Sequence, residues 1–196
     1  MPRITLPSPE GMSAEQRRVY NKVVSGPRGR VQGPLRAVIH NPELADRWQA
    51  LGALLRYETS LSPRHSEIAI LVTARHCRSP FEWYAHRQEA EKAGVERAII
   101  EALLAQAAPA LTGDDALVYQ YAIELNRSRS VSDATYAKFL ARFGERIVVE
   151  LTALIGYYTM VAMTLNAHEI PLPEGVAPAF SLPQHGARLR AGTNSP

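Results

Sequence analysis

Cysteine is nearly absent from this chain of 196 residues, which contains only Cys77. A single thiol cannot form an intrachain disulfide, and it cannot supply the two sulfur atoms that a dithiol redox site needs. We interpret Cys77 as a small buried side chain, because free cysteine is among the most often buried residue types. The composition therefore suits a protein of the reducing cytoplasm.

An excess of charge of one sign is also missing. The sequence has 22 Lys and Arg against 19 Asp and Glu, a formal net charge of +3. The arginines are spread along the chain and do not form one lysine-rich run. We interpret them as a solvated surface and expect no nucleic-acid partner.

No long apolar run is free of polar residues. The N-terminal residues lack the apolar stretch of a secretory signal. The most apolar segment, residues 147–167, is interrupted by Glu150, by Tyr157 and by three threonines. We therefore predict that it is a buried core helix and that the protein has no membrane partner.

Strand-like alternation of apolar and polar residues is absent as well, whereas signals for helix starts recur. An N-cap residue followed by a capping-box glutamine or by proline at the first helical position marks four starts. They are Ser13 with Gln16, Asn41-Pro42, Ser62-Pro63 and Ser79-Pro80. We predict an all-α, single-domain helical bundle with helices at about 17–24, 42–57, 63–78, 80–93, 96–107, 114–127, 132–143 and 145–165.

The chain divides into three parts by composition. Residues 1–40 hold a helix and a loop rich in glycine and proline, residues 41–170 form the helical domain, and residues 171–196 form a proline-rich tail. We expect the tail to be extended or packed on a partner chain. The helices at 63–78 and 80–93 are joined with almost no loop, so they form a core helical hairpin.

Three segments together resemble the carboxymuconolactone decarboxylase superfamily, which also contains the alkylhydroperoxidases. They are the hairpin with its unit Glu82-Trp83-x-x-His86, the sequence Asn41-Pro42-Glu43-Leu44-Ala45, and residues 156–166. The resemblance covers roughly residues 41–173 and implies the longer branch of the family, which lacks a cysteine pair.

The alkylhydroperoxidase pattern is Glu, eleven residues, Cys, two residues, Cys, three residues, His. Counting back from His86 places Glu82 and Ser79 at the cysteine positions and Glu67 at the glutamate position. Peroxide reduction needs one thiolate to attack and a second thiol to resolve the sulfenic acid, and neither serine nor glutamate can do this. An antioxidant peroxidase would have to use Cys77 without a motif partner, and it stays an alternative.

The catalytic candidates are Glu82, His86 and Glu67. Because Glu82 and His86 lie four residues apart on one helical face, the carboxylate can orient the imidazole, or both can act on one small molecule. The structural alternative for Glu82 is a capping box with Ser79. The structural alternative for Glu67, a carboxylate among apolar neighbours, is an ion pair with an arginine across the hairpin.

Candidates for substrate binding come from three places. The glycine-rich loop could fold over the site, so that one of its arginines clamps a substrate carboxylate; otherwise it is a mobile surface loop. Aromatic residues of the hairpin and of the C-terminal helix could line the pocket, although core packing is their ordinary role. The candidates are Arg30, Arg36 and His40, with Arg28 nearby, and Trp83, Tyr157 and His168.

The resemblance implies a lyase or isomerase that acts on a small carboxylated lactone or ring acid of aromatic catabolism. In this hypothesis His86 is the acid, Glu82 orients it, and an arginine anchors the substrate. We expect no organic cofactor, and no metal because no pair of side chains supplies two ligands from one helical turn. We also expect a homo-oligomer, a dimer or trimer. A non-catalytic ligand-binding or assembly protein is the other alternative.

Overall fold

The computed structural model describes residues 1–181, so the predicted tail at 182–196 lies outside the described residues. The described part has eight α-helices, a short 3₁₀ turn and no strand, which confirms the all-α prediction. The 3₁₀ turn is Pro9–Gly11. The helices are α1 (Ala14–Ser25), α2 (Leu35–Val38), α3 (Pro42–Tyr57), α4 (Pro63–His76), α5 (Pro80–Lys92), α6 (Arg97–Ala105), α7 (Gly113–Ser128) and α8 (Asp133–Ala167). Residues 171–181 contain neither helix nor strand.

Side-chain caps fix the starts of three helices as the sequence predicts. Ser13 and Gln16 form the reciprocal capping box of α1. The Asn41 side chain accepts from the N–H of Leu44 at 3.0 Å, and α3 follows. The Ser62 hydroxyl caps α4 in the same way. Each cap satisfies one N–H that the first turn of a helix would otherwise leave without a partner.

The helices expected at 132–143 and 145–165 are both present as the two segments of α8, and the backbone between them is not helical at Gly144, where φ is 78° and ψ is 167°. One detail differs from the prediction. The short helix α2 was not expected. It forms because Leu35, Ala37 and Val38 are buried, so packing stabilises one helical turn beside the glycine-rich loop.

Helix α4 is the centre of the bundle and packs against α5, α6, α7 and α8. Nine consecutive residues of α4, from Ser66 to Ala74, are buried. A helix covered on all sides places any polar residue that it carries inside the protein. Glu67 is such a residue. Only three residues separate the end of α4 from the start of α5. Glu82 and His86 on α5 are therefore also in the interior of the bundle, beside α4.

By length and composition alone, α8 is apolar enough to cross a membrane. It packs as a core helix, however, because α3, α4, α5 and α7 all contact it. Its outer face still exposes Val149, Met160 and Met163. Self-association through this face stays a prediction.

Replacing two glycines of α8 by alanine is expected to change the free energy of unfolding in opposite directions. Gly144 has a backbone conformation that is essentially restricted to glycine, so Gly144→Ala is expected to lower the free energy of unfolding by about 1–3 kcal/mol. Gly156 lies in the helix with open space where a Cβ would be, so Gly156→Ala is expected to raise it by about 0.5–1 kcal/mol. Urea unfolding followed by circular dichroism measures both. A destabilised Gly156→Ala together with an unaffected Gly144→Ala would contradict this description of α8.

Candidate functional site

A buried hydrogen bond joins the two helices of the hairpin. The Nδ1 atom of His86 on α5 lies 2.8 Å from Oε2 of Glu67 on α4, and each residue is only 6% exposed. A carboxylate can only accept, so Nδ1 carries the proton and Nε2 is left for other partners. The ring of Tyr158 packs edge-on against the imidazole, with 4.8 Å between centroids. The bond and the ring contact together hold His86 in one orientation.

The partner of His86 differs from the prediction that Glu82 orients it. Glu67 makes the bond instead, because the face of α5 that carries His86 is packed against α4, and the carboxylate arrives across the hairpin. The structural alternative for Glu67, an ion pair with an arginine across the hairpin, is replaced by this bond to imidazole.

Glu82 is buried without a bonded partner. It is 2% exposed, and neither carboxyl oxygen has a hydrogen-bond partner in the described chain. The predicted capping box is not formed, since the Ser79 side chain makes no cap hydrogen bond. Burial, and next the nearby negative charge of Glu67, raise the pKa of the Glu82 carboxyl well above its usual value. Burial therefore favours the protonated form of Glu82, which can donate a hydrogen bond or a proton.

Glu82 and His86 form part of the wall of a cavity of about 60 Å³. The loop before α2 and helices α2, α3, α5 and α8 all contribute to this wall. Two guanidinium groups, Arg28 and Arg56, lie on it together with the acid and the imidazole. Its other polar members are Gln32, Tyr157 and Tyr158, and the rest of the wall is mostly apolar.

Buried polar atoms that lack a partner are concentrated on this cavity. Seven such side-chain atoms occur among the described residues, and four of them belong to the wall: Arg28 Nε, Trp48 Nε1 and the two Glu82 oxygens. Since at least about 90% of buried polar groups in folded proteins find a partner, such a concentration is unusual. Two donors and one neutral acid around a small space are suited to an oxygen-rich ligand.

A glycine makes room for part of this wall. Gly52 lies inside α3, and a Cβ there would collide with the Tyr157 hydroxyl and with a guanidinium nitrogen of Arg28. The isolated glycine within a helical pattern is the sequence signal that could have indicated close approach at this point. The absence of a side chain at Gly52 leaves room for Arg28 and Tyr157 to meet beside the cavity.

Arg56 is the main residue that the sequence analysis missed. Its side chain is 19% exposed, and its guanidinium lies 3.6 Å from the Glu89 carboxylate, a long and weak contact. An arginine in the last turn of a helix is ordinary, because cations there interact favourably with the helix dipole. The sequence therefore gave no signal that Arg56 lines a cavity.

Of the residues considered for substrate binding, Tyr157 and Arg28 of the glycine-rich loop lie on the cavity wall. Arg30 is exposed on the loop, and Arg36 points elsewhere from α2. The Nε2 atom of His40 forms a hydrogen bond with the carbonyl oxygen of Thr5 at 2.7 Å, away from the cavity.

Trp83 and His168 also lie away from the cavity. Trp83 is 1% exposed in the core, where its ring packs edge-on against Phe180. His168 forms the C-cap of α8, and its carbonyl accepts from the N–H of Arg3. These positions depend on how each helix is rotated in the bundle, which local sequence patterns do not determine.

Cys77 is half-buried at the C-cap of α4. Burial raises the pKa of its thiol. A raised pKa disfavours the thiolate that reacts with peroxide. Among residues 1–181 no three His, Cys, Asp or Glu side chains are grouped so that they could hold a metal ion.

Comparisons with known proteins agree with the resemblance noted in the sequence. Residues 42–122 match the model of the carboxymuconolactone decarboxylase family. No curated protein matches the chain significantly.

Two similar solved structures are both peroxidase-related proteins that have not been characterised. One, from Silicibacter sp. TM1040, is 18% identical and covers 87% of this chain and 91% of its own, with a TM-score of 0.72. The other, an alkylhydroperoxidase AhpD core from Ralstonia eutropha JMP134, is 11% identical and covers 88% of this chain and 93% of its own, with a TM-score of 0.73. At these identities the likeness describes the fold.

Replacing Glu82 by glutamine tests whether this carboxyl group carries a proton. The readout is how the free energy of unfolding depends on pH. Between the ordinary glutamate pKa of about 4.5 and the raised pKa of Glu82, the folded chain binds one more proton than the unfolded chain. The free energy of unfolding therefore falls as pH rises, by up to about 1.4 kcal/mol per pH unit. Glu82→Gln cannot titrate, so its stability relative to the parent protein should increase with pH above about 4.5.

The matched control is Glu89→Gln on the same helix. A hydrogen bond from Lys92 lowers the pKa of Glu89, so this variant should lose stability relative to the parent as pH rises through the usual glutamate value. Urea unfolding at several pH values measures both. Parallel profiles for the parent protein and Glu82→Gln would show that Glu82 is not held neutral.

Proposed function

We propose that this chain, which belongs to the carboxymuconolactone decarboxylase and alkylhydroperoxidase-like superfamily, is a cofactor-independent decarboxylase or isomerase of a small carboxylated molecule. One observation carries the proposal. Glu82, a buried carboxyl group without a hydrogen-bond partner, whose pKa is raised by burial, lies on the wall of a cavity that also presents His86 and two guanidinium groups.

The charges of the cavity favour an anionic ligand. Glu82 is neutral and the charge of Glu67 is turned toward His86, so Arg28 and Arg56 leave the wall positive. The Nε atom of Arg28 is buried without a hydrogen-bond partner and Arg56 has only the long contact to Glu89, so an anion in the cavity would give both guanidinium groups a closer partner. Carboxylate is a suitable anion because guanidinium can bind it through two parallel hydrogen bonds.

Glu82 takes the role of acid that the sequence analysis gave to His86. In decarboxylation the bond between the carboxylate and its carbon breaks, carbon dioxide leaves, and the electron pair is delocalised toward a neighbouring carbonyl oxygen. Glu82 then delivers its proton to the carbon and regains one from water. A guanidinium near that oxygen stabilises the charge that develops there.

An isomerase would use the same groups in a related order. The free Nε2 of His86 would remove a proton next to a carbonyl, and Glu82 would return one at another carbon. Glu67 acts through its neighbours: it holds the Nδ1 atom and the ring orientation of His86, and its charge adds to burial in raising the pKa of Glu82. Glu67 is therefore a positioning residue.

The same site gives little support to peroxide reduction. A resolving thiol is required after the first thiolate is oxidised, and the chain has one cysteine. The raised pKa of Cys77 further lowers its reactivity. The positions that hold cysteine in the alkylhydroperoxidase pattern are occupied by Ser79 and Glu82, and Glu82 is a proton carrier.

Activity measurements with variants test this proposal. Turnover of carboxylated lactones and cyclic keto acids is measured as carbon dioxide release and as deuterium uptake from heavy water by NMR. Glu82→Gln is expected to lower kcat by roughly 10²–10⁴-fold with little change in substrate binding, the range for loss of a general acid. Arg56→Met is expected to raise KM. Glu91→Gln, an exposed carboxylate on α5 paired with Arg87, is the matched control and should behave like the parent protein.

Two outcomes would contradict the proposal. Full turnover by Glu82→Gln would place the proton donor elsewhere. Ligand binding that is unaltered in both Glu82→Gln and His86→Ala, with no turnover of any compound, would favour a non-catalytic binding protein.

A further inference from the structure

A second, larger space lies directly beside the site. It is a groove of about 280 Å³ between the start of α5, the end of α8 and the C-terminal segment that follows α8. Phe81 and Leu165 line both the groove and the inner cavity, so at these two residues the spaces are separated by the thickness of one side chain.

The groove is mainly apolar. Ile170, Leu172 and Phe180 line it in addition to the two shared residues. Its main polar members are already engaged: the Asn166 side chain donates to the carbonyl of Cys77 at 2.9 Å, and Glu169 is paired with Arg3 at 2.9 Å. Such a surface binds hydrocarbon better than it binds charge.

The size of the inner cavity makes a second space necessary. A cavity of about 60 Å³ holds only a few water molecules, at roughly 10–15 Å³ for each. A carboxylate and the carbon beside it fill most of that volume. The remainder of any ring acid or longer acid must lie elsewhere, and the groove is the described space that shares walls with the cavity.

Phe81 lies between the inner cavity and the groove. It precedes Glu82 in the first turn of α5 and is half-buried. Its ring packs against the loop at Gly33, where a Cβ would lie 3.0 Å from the ring. Gly33 has φ of 56°, a conformation that suits glycine, so the loop can pass this close to the ring. The ring of Phe81 therefore forms part of the partition between the cavity and the groove.

We propose that this groove is a subsite for the apolar arm of the substrate. The substrate is then an acid with an apolar substituent: its carboxylate lies between Arg28 and Arg56 beside Glu82, and its hydrocarbon passes Phe81 and Leu165 toward Leu172. This inference rests on the proposed function, because it uses the same carboxylate site for the head group.

Binding of unbranched carboxylates to the full chain tests the subsite. Calorimetric titration with butanoate, hexanoate and octanoate is expected to show affinity that increases roughly fourfold for each methylene group that enters the groove. Leu172→Asp places a charge in the groove, away from the inner cavity, and should remove this dependence on chain length while butanoate binds as before. Leu172→Ser is the milder second variant, and Leu44→Asp, at an exposed leucine of α3, is the matched control.

The outcomes separate the two proposals. If butanoate binds, and binding is lost in Arg56→Met, but octanoate binds no tighter, the subsite is overturned and the carboxylate site stands. If no acid binds the parent protein, both proposals are overturned. If octanoate gains affinity only in a chain ending at Ser181, the groove is covered by the chain's own C-terminal residues, and the subsite is again overturned.

Discussion

The hydrogen bond between Glu67 and His86 is the interaction on which the site depends. It joins the two helices of the central hairpin in the interior of the bundle, where losing one partner would leave a buried polar group unsatisfied. It also fixes the imidazole tautomer and leaves Nε2 available. Finally, it keeps a carboxylate close to Glu82, whose charge adds to burial in holding the Glu82 carboxyl neutral. One bond thus orients His86 and keeps a second carboxyl group near Glu82.

Three buried ionisable residues would destabilise an ordinary core. Glu67 and His86 satisfy each other, but Glu82 has no partner in the described chain. Its desolvation cost is reduced only by carrying a proton. An acid maintained in this way fits a site built to transfer protons or to bind a ligand, since a structural role would be filled more stably by glutamine or leucine. Arg28 Nε and Trp48 Nε1, which are also buried without hydrogen-bond partners, lie around the same cavity, and this supports the same view.

The fold was predictable from the sequence because its signals are local. Ser13, Asn41 and Ser62 each cap the helix that follows, and each signal lies within four residues. The break between the two helical segments of α8 at Gly144 was predictable for the same reason. The membership of Glu82 and His86 in one site followed from their spacing and from the family pattern.

The rest of the site depends on how the helices are rotated against each other, which spacing does not encode. Glu67 reaches His86 only because α4 and α5 pack face to face. The prediction that Glu82 orients the imidazole was therefore wrong. Arg28 and Tyr157 meet beside Gly52 because α3 lies against α8 at that point. Arg56 likewise reaches the cavity through packing between helices that are distant in sequence.

The hairpin of α4 and α5 therefore places Glu67 and His86 beside Ser79 and Glu82. Ser79 and Glu82 have no sulfur for thiol redox chemistry, and our proposal gives Glu82 the role of proton donor. The most direct measurement of this claim is infrared difference spectroscopy between the parent protein and Glu82→Gln at neutral pH. We predict the carbonyl band of a protonated carboxyl group that is missing from the variant and shifts in heavy water. Only carboxylate bands in the difference spectrum would show that Glu82 is ionised and would contradict its role as the acid.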